Sequence, residues 1–410
     1  MIRNLPSVMV SDKGEKKIKS GHPWVFGDEV TPRGETIPED GGLCDVYSGK
    51  SRYLGTGFFN SHSKIRVRLL SDNTNDTFDD AFFRRRLEHA VDYRMTVMGD
   101  DFDACRLIFG EADRFPGWTV DRFGDMLVSE VLSLGIEVRR DLLYSLLIDV
   151  LAEYGVTIHG IYERCDGSLR ELEGMDRHCG YWKEATYPGH ADGCVDIREN
   201  GVLYTVDYVN GQKTGFFLDQ KYNRQAAARL AKGRHILDCF THTGSFGLNC
   251  ALAGAAEVVS VDISEDAAAM ARYNAERNGV ADRMRVECAD VFALLRSLAE
   301  SRANRGKYDY IILDPPAFTK SRDTVKNAYR GYREINTLAM RLLPRGGYLA
   351  TCSCSHFMPP DQFKRMLHEA ADDAHVALRQ IEERAQSPDH PILWNVPETE
   401  YLKFYLFQIV

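Results

Sequence analysis

The chain has 410 residues, too many for a single hydrophobic core, and this length predicts two or three domains of about 100–200 residues each. Hydrophobic residues make up 44% of it and charged residues 27%, as in ordinary globular proteins, and no apolar run reaches the roughly 20 residues that a membrane-spanning helix needs. The net charge of −9 excludes a protein coated in positive charge, but it leaves room for a local basic face that binds nucleic acid.

The start of the chain, MIRNLPSVMV, has no long apolar segment, so we expect no secretory signal and a cytoplasmic protein. Ten cysteines in such a chain favour reduced thiols. None of them has the spacing of a CxxC pair or of a Cys/His zinc site, so we expect no metal.

The first domain is predicted to span residues 1–71 and to consist of short strands. The β-rich segments, punctuated by glycines, are LCDVYS (43–48), YLGTGFFN (53–60) and IRVRLL (65–70). The alternation from Lys64 to Leu69 predicts one apolar face and one basic face. An aromatic segment, GHPWVF (21–26), is preceded by Lys13, Lys16, Lys17 and Lys19. These lysines are either a solvated surface or the edge of an RNA-binding module, which gains affinity from stacking and phosphate contacts.

A small α+β middle domain is predicted at 72–190, after a polar linker at 72–77. Apolar residues at helical spacing predict a helix at about 80–97, and a second helix is expected near 138–154. This domain has no obvious catalytic cluster. A β-hairpin follows at 193–208, because Asn200-Gly201 at its tip is the strongest short-range hairpin signal.

The last domain, 191–410, opens with that hairpin and changes to β-α alternation at His235. The predicted strands are HILDCF, EVVSVDI, MRVEC, YDYIILD, GYLATCS and two closing segments near 376–382 and 401–408. The predicted helices lie near 245–253, 265–278, 291–300, 325–342 and 360–373. This alternation predicts an α/β domain with a doubly wound, mostly parallel seven-stranded sheet, which binds ligands at the carboxyl ends of its strands.

The first four of these strands end in aspartates: Asp238, Asp262, Asp290 and Asp314. The first turn, DCFTHTGSFG (238–247), has one glycine before its helix rather than GxGxxG, so a pyrophosphate cradle is poorly supported. Asp262, about 20 residues after the first strand, has a carboxylate that suits a ribose diol. Any one aspartate could be a helix N-cap. The four together favour a nucleoside ligand without phosphates, such as S-adenosylmethionine.

Segments around these strand ends complete the predicted cofactor site. The third strand is followed by Ala289-Asp290-Val291-Phe292, which suits an adenine amine and an apolar slot. Gln220, Phe217 and Arg224 precede the first strand and could close over the methionine part or over RNA; the alternative is a helix start packed on the sheet. The candidate cofactor-binding residues are Gln220, Asp238, Phe240, Thr243, Gly244, Asp262, Ile263, Asp290, Val291 and Asp314.

TCSCS (351–355), taken with LDPPAF (313–318), provides what a pyrimidine C5 methyltransferase needs. C5 of cytosine or uracil is a poor nucleophile, and a thiolate that adds to C6 turns C5 into an enamine carbon able to attack a methyl group. Cys352 and Cys354 share a face if the strand stays extended, but only Cys354 lies beyond the strand end. Cys354 is therefore the predicted nucleophile, and Cys352 is predicted to pack in the core.

With these motifs the chain resembles the bacterial cytosine-C5 methyltransferases of 23S ribosomal RNA that carry an N-terminal PUA domain. The resemblance covers nearly the whole chain and rests on GHPWVF, FGEADRFPGWTVDRFGD, IYERCD, NGQKTGFFLDQKYNR, DCFTHTGSFG, LDPPAF, TCSCS, DHP and PETEYLK. It implies a β-barrel-like PUA domain, a middle domain and a class I S-adenosylmethionine-dependent methyltransferase domain. It also implies 23S rRNA as the partner, with no membrane; a homodimer stays open.

Two departures from the family bear on the nucleophile. The family usually has a single cysteine, as SCS, which maps onto Ser353-Cys354-Ser355. Here Thr351-Cys352-Ser353 also resembles the TCS motif of a different class of RNA cytosine methyltransferases. That class places a second cysteine after its Pro-Pro loop, where this chain has Ala317, so a two-cysteine mechanism is not supported.

The other predicted catalytic residues are Asp314, His390 and Glu398. Asp314 is expected to hydrogen-bond N3 and the 4-amino edge of cytosine, beside prolines that fix the backbone. A base must remove the C5 proton after methyl transfer. His390 and Glu398, from the DHP and PETEYLK motifs, are the candidates; either could instead be a surface or capping group.

Two alternative functions stay open from the sequence. An amino-methyltransferase also uses a Pro-Pro loop, but it usually places an aromatic residue directly after the prolines, whereas here Phe318 follows Ala317. The other alternative is a non-catalytic RNA-binding or ribosome-assembly factor that retains a vestigial cofactor fold.

Overall fold

The computed structural model describes residues 5–33, 37–164, 167–319 and 321–410, which form two compact units. The N-terminal unit runs to Ile197 and adds two later segments, Val206–Leu218 and Pro388–Thr399. The C-terminal unit comprises Arg198–Thr205, Asp219–Ser387 and Glu400–Val410. The last two residues of the IYERCD motif, Cys165 and Asp166, lie outside the described residues.

The N-terminal unit begins with a six-stranded sheet and one helix. The elements are β1 (Ser7–Val10), α1 (Asp12–Lys19), β2 (Trp24–Phe26), β3 (Val30–Arg33), β4 (Leu43–Ser48), β5 (Tyr53–Phe59) and β6 (Ile65–Ser71). The strand order is β2-β6-β5-β4-β1-β3. Val8, Val46 and Val67 are fully or almost fully buried and belong to its apolar core.

Two details of this sheet differ from the sequence prediction. The four lysines lie on helix α1, which was not predicted; its N-cap is Ser11, whose hydroxyl accepts from Gly14 N. The basic face of β6 is only partly available, because Arg68 is 9% exposed and forms ion pairs with Glu173 (2.9 Å) and Glu111 (3.3 Å). Both carboxylates come from segments more than 40 residues away.

The middle part of the chain forms a five-stranded sheet, in the order β11-β10-β9-β8-β7, with helices around it. Its elements are α2 (Asp80–Met98), β7 (Ala104–Phe109), β8 (Trp118–Phe123), β9 (Met126–Val131), α3 (Leu134–Glu137), α4 (Arg140–Glu153), β10 (Gly160–Arg164), α5 (Gly167–Leu172) and β11 (Gly180–Tyr181). The two long helices fall where their apolar spacing predicted them. This part is α+β, as expected.

The predicted hairpin is formed by β12 (Cys194–Glu199) and β13 (Val202–Asp207). Asn200 and Gly201 have φ of 53° and 81°, the two left-handed residues that a two-residue type I′ turn requires. The local signal in the sequence therefore set this turn correctly.

The C-terminal unit contains a seven-stranded sheet in the order β16-β15-β14-β17-β18-β20-β19. Its elements are α6 (Lys221–Ala228), β14 (His235–Cys239), α7 (Ser245–Leu252), β15 (Glu257–Asp262), α8 (Glu265–Arg277), β16 (Met284–Cys288), α9 (Val291–Glu300), β17 (Tyr310–Leu313), α10 (Val325–Leu342), β18 (Tyr348–Ser353), α11 (Pro360–Ala374), β19 (Leu378–Arg384) and β20 (Lys403–Ile409). The first five strands are parallel, and β20 is antiparallel to both of its neighbours. The carboxyl ends of β14, β15, β17 and β18 therefore meet at one edge, as a doubly wound sheet requires.

Other sequence expectations can be compared with the described residues. No helix there is both long and apolar enough to cross a membrane. In the same parts of the chain, no group of three or more His, Cys, Asp or Glu side chains could hold a metal ion. The expectation of ten reduced thiols is wrong at Cys179, which is disulfide-bonded.

Candidate active site

The turn from β14 into α7 is organised by the buried carboxylate of Asp238. Its Oδ2 accepts hydrogen bonds from Thr241 Oγ1 (2.5 Å), Ser260 Oγ (3.0 Å) and Gly247 N (3.0 Å). Burial raises the pKa of this carboxyl to about 6. Asp238 thus fixes the shape of the turn, which explains why an acidic residue ends this strand.

The backbone of this turn is unusual. Phe240, His242 and Gly244 all have positive φ, of 61°, 52° and 87°. A Cβ at Gly247 would overlap Ser260 Oγ, so this position tolerates only glycine without movement of its neighbours. Sequence reasoning missed Gly247, because only Gly244 has the spacing of a familiar turn. Thr243 Oγ1 is buried and has no hydrogen-bond partner among the described residues.

The end of β15 presents a carboxylate beside an exposed apolar side chain. Asp262 accepts from His242 N (2.9 Å) and Ser264 N (3.0 Å), and it is half-buried. Ile263 is 71% exposed, which is unusual for an isoleucine at the end of a core strand. This pair offers an acceptor for a diol and an apolar surface for a flat ring.

Asp290 is exposed and caps helix α9, because its Oδ1 accepts from Ala293 N at 2.8 Å. The N-cap alternative therefore applies at this position, while Val291 beside it is buried. Phe292 packs against Phe240 and Phe318 with ring centroids 6.3 Å and 5.7 Å away. These rings form an apolar wall next to the turn.

Asp314 follows β17 and is held by Gln220. The amide Nε2 of Gln220 donates to Asp314 Oδ1 at 2.8 Å, and Asn223 in turn donates to Gln220 Oε1 at 2.7 Å. Burial, reinforced by the charge of Asp219, raises the pKa of Asp314 to about 7. The carboxyl is thus poised to be protonated in part of the molecules at neutral pH.

Arg224 does not face outward, which corrects the suggestion that it could close over a ligand. Its side chain is 1% exposed and forms an ion pair of 2.5 Å with Glu199. Phe217 belongs to the N-terminal unit, whereas Gln220 belongs to the C-terminal unit. The amide of Gln220 contacts Asp314 directly, and the charge of Arg224 acts on the same carboxyl.

The two cysteines of TCSCS differ in accessibility. Cys352 is fully buried, its thiol contacts Asp314 and Gln220, and burial raises its pKa well above the ordinary value. Cys354 lies one residue beyond β18 and is partly exposed. Since Leu313 pairs with Thr351, Cys352 near the end of β18 and Cys354 just beyond it lie at the edge of the sheet where Asp314 follows β17.

His390 and Glu398 lie in the N-terminal unit, not in the unit that carries Cys354. His390 is 2% exposed; its Nδ1 lies 2.9 Å from Asp389 Oδ1, and its ring packs on Phe109. Glu398 Oε1 lies 3.2 Å from His22 Nε2. Both side chains therefore have partners within their own unit, a placement that the sequence did not indicate.

The residues at the strand ends fit S-adenosylmethionine. Asp262 can accept from a ribose diol, and Ile263 and the Phe292 wall suit adenine. Thr243 Oγ1 is a buried polar atom with no partner within the described part of the chain. Because Gly247 has no side chain, the turn can approach Ser260 and Asp238 closely.

Comparisons with known proteins agree with this geometry. The family model of S-adenosylmethionine-dependent methyltransferases matches residues 178–408, and that of PUA-like domains matches residues 8–72. A ribosomal RNA large subunit methyltransferase I from Aliivibrio fischeri is 38% identical over 407 residues, which cover 98% of this chain and 99% of that protein. Another, from Aeromonas hydrophila, is 40% identical over 395 residues, covering 95% and 96%.

Solved structures share the fold. A structure described as a SAM-dependent methyltransferase from Streptococcus mutans superposes with a TM-score of 0.81 at 22% identity, covering 98% of this chain and all of its own. A second methyltransferase structure, complexed with SAH, gives a TM-score of 0.82 at the same identity and coverage. The predicted class I fold, the PUA-like first domain and the cofactor S-adenosylmethionine are thereby confirmed. The chain is an S-adenosylmethionine-dependent methyltransferase and belongs to the ribosomal RNA large subunit methyltransferase I family.

Proposed function

We propose that this protein methylates C5 of a cytosine in 23S ribosomal RNA through a covalent bond between Cys354 and C6 of the base. The observation that carries the proposal is the pair of groups at adjacent strand ends. A partly exposed thiol follows β18, and a carboxyl with a pKa of about 7 follows β17. Large subunit methyltransferases I are the relatives, which supports rRNA as the substrate.

Cys354 and Asp314 both act in the first step, the addition of the thiolate to C6 of the base. The thiolate forms an Sγ–C6 bond, and the displaced electron pair moves to N3 of the ring. A protonated Asp314 can donate its proton to N3, and its other oxygen can accept from the 4-amino group. Cys352 is buried beneath Asp314, so its contacts favour packing over attack.

The bound cofactor supplies an electrophilic methyl group to C5. The protein carries out the remaining steps: a base takes the C5 proton, Cys354 leaves as the thiolate when the C5–C6 double bond re-forms, and N3 returns its proton to Asp314. We keep Glu398 and His390 as the proposed bases. Glu398 is favoured, because its Oε2 has no hydrogen-bond partner in the described parts of the chain, whereas His390 is almost fully buried.

The N-terminal unit is proposed to grip the RNA. It contains a cavity of about 330 Å³ whose lining includes Lys19, Arg52, Arg114 and Tyr53. Three cations and an aromatic ring suit a phosphate backbone with an unstacked base. In the same unit the indole of Trp394 is 97% exposed, a further surface on which a base could stack. Such a substrate places the protein in the cytoplasm with the ribosome.

Bisulfite sequencing of 23S rRNA from cells with and without the gene tests the proposal. We expect one cytosine that resists conversion only when the gene is present. Mass spectrometry of the same RNA checks the alternatives. A methyl group on N4 would favour an amino-methyltransferase, and no change in methylation would favour a non-catalytic assembly factor.

A further inference from the structure

Lys403 is a buried lysine at the start of β20, next to the loop that carries Cys354. In the antiparallel ladder of β18 and β20 it is the partner of Ser353, the residue before Cys354. It is 4% exposed, and its Nζ donates to Ser355 O and to Tyr401 O, each at 2.7 Å. Both acceptors are uncharged carbonyls. A buried ammonium normally has an anionic partner, because its burial alone is costly.

The loop around Cys354 is fixed on both sides. Ser355 Oγ lies 2.8 Å from the hydroxyl of Tyr332 on α10, and Ser355 N donates to Ser353 Oγ at 3.3 Å. Ser355 O, which accepts from Lys403, also accepts from Met358 N at 3.1 Å. The residues before and after Cys354 are therefore both anchored, and Lys403 provides one of the anchors.

We propose that Lys403 is a positioning residue for Cys354. The buried ammonium of Lys403 holds the Ser353–Ser355 segment and favours the thiolate form of the Cys354 thiol. This inference rests on the proposed role of Cys354 as nucleophile. The thiol proton is lost to water before attack, and Lys403 keeps its own proton.

The charges around the loop agree with this role. Burial lowers the pKa of Lys403 to about 8, and the negative charges of Cys354 and Glu400 oppose that change. Lys403 therefore remains mostly protonated at pH 7. The attraction is mutual, because a cation stabilised by a thiolate stabilises that thiolate equally.

Three other titratable groups near Cys354, among the residues that the structure describes, are neutral or negative. Burial raises the pKa of Tyr332, on α10, to about 12, so its hydroxyl is neutral at pH 7. Cys352, on β18, is a neutral thiol for the same reason. Asp314, which contacts Cys352, becomes negative above pH 7 and opposes a second anion.

The test is the pH dependence of Cys354 alkylation by iodoacetamide, resolved by peptide mass spectrometry, in the full-length protein without RNA. In the wild type we expect a midpoint below the roughly 8.5 of a free thiol. Lys403→Met should raise the midpoint by up to about one pKa unit and slow alkylation at pH 7 by roughly three- to tenfold. Lys403→Arg, which keeps the charge, should recover most of the rate.

Two comparisons isolate the effect of the charge. Lys364→Met removes the same charge from α11, where Lys364 pairs with Glu383, and should leave Cys354 alkylation unchanged. The exposed Cys288 should react alike in every variant. Binding of S-adenosylhomocysteine, measured by calorimetry, reports whether Lys403→Met is folded.

An unchanged pH profile in folded Lys403→Met overturns the proposal. If that variant does not fold, the alkylation profile of the wild-type protein tests the proposal. A pH midpoint of Cys354 alkylation at or above about 8.5 is incompatible with a thiolate favoured by Lys403. Failure of the proposed function would look different. Cys354→Ala would then retain rRNA methylation, whatever the alkylation profile of the wild-type thiol.

Discussion

Replacement of Asp314 by asparagine should stabilise the protein at pH 8 while it removes activity. The carboxyl has an ordinary pKa of 3.8, which the fold raises to about 7. Between these values the native state holds a proton that the unfolded chain has released, so stability falls as the pH rises from about 4 to 7. Above pH 7 both states are ionised and the loss is complete.

The size of the effect follows from the same two values. One pKa unit corresponds to about 1.4 kcal/mol, so ionisation in the folded state costs at most about 4 kcal/mol. Asp314 is partly accessible, and solvent screening should reduce this to about 2 kcal/mol. Asparagine has no charge to bury, and its side-chain oxygen can still accept from Gln220. At pH 5 the native carboxyl is protonated but the unfolded one is already ionised, so roughly a third of the loss is present and the two proteins should differ by less than about 1 kcal/mol.

Calorimetric unfolding of both proteins at pH 5 and pH 8, without cofactor, measures the difference. We expect Asp314→Asn to melt several degrees higher than the wild type at pH 8. Asp282→Asn is the control, since Asp282 is exposed and pairs only weakly with Arg283. If Asp314→Asn shifts the melting temperature equally at both pH values, Asp314 is not a carboxyl that the fold keeps protonated.

Three further predictions concern the cofactor, the nucleophile and the RNA. Asp262→Ala should weaken S-adenosylmethionine binding by roughly 1.5–3 kcal/mol, because a charged acceptor is lost; unchanged affinity in calorimetry would contradict the assignment. RNA with 5-fluorocytosine should trap the enzyme covalently, since fluorine cannot leave as a proton does. Cys354→Ala should abolish the adduct and turnover while Cys352→Ala keeps most of both, and the reverse result would move the nucleophile to Cys352. Replacing Lys19 and Arg52 together by alanine should reduce the salt dependence of rRNA binding by about two counterions, whereas an identical slope in filter binding would exclude the cavity as a phosphate site.

Local sequence signals predicted most of the fold. The hairpin at Asn200-Gly201 depends on two adjacent residues, and helices such as Val325–Leu342 depend on spacing within a few turns. These features need no knowledge of distant residues. Helix α1 was missed because its lysine-rich sequence has few apolar residues. The N-cap at Ser11, the acidic first turn and the basic last turn are the local signals that could have found it.

Contacts between distant residues set the limits of the prediction. Gln220 reaches Asp314 across 94 residues, and Arg68 reaches Glu173 across 105, so no local pattern could assign these partners. The four strand-end aspartates were found from the sequence, but their different surroundings were not. Asp238 is buried in its turn, whereas Asp290 is exposed and caps a helix.

Strand β20 is made late in synthesis, yet it lies between β18 and β19 in the finished sheet. A nascent chain that has emerged only as far as β19 already contains every residue of the cofactor turn and both cysteines. It has an open edge along β18, and the Ser355 carbonyl has no ammonium beside it. Insertion of β20 closes that edge and brings Lys403 to the loop in a single event. On the proposed role of Lys403, the Cys354 thiol is expected to gain its reactivity only when β20 completes the sheet.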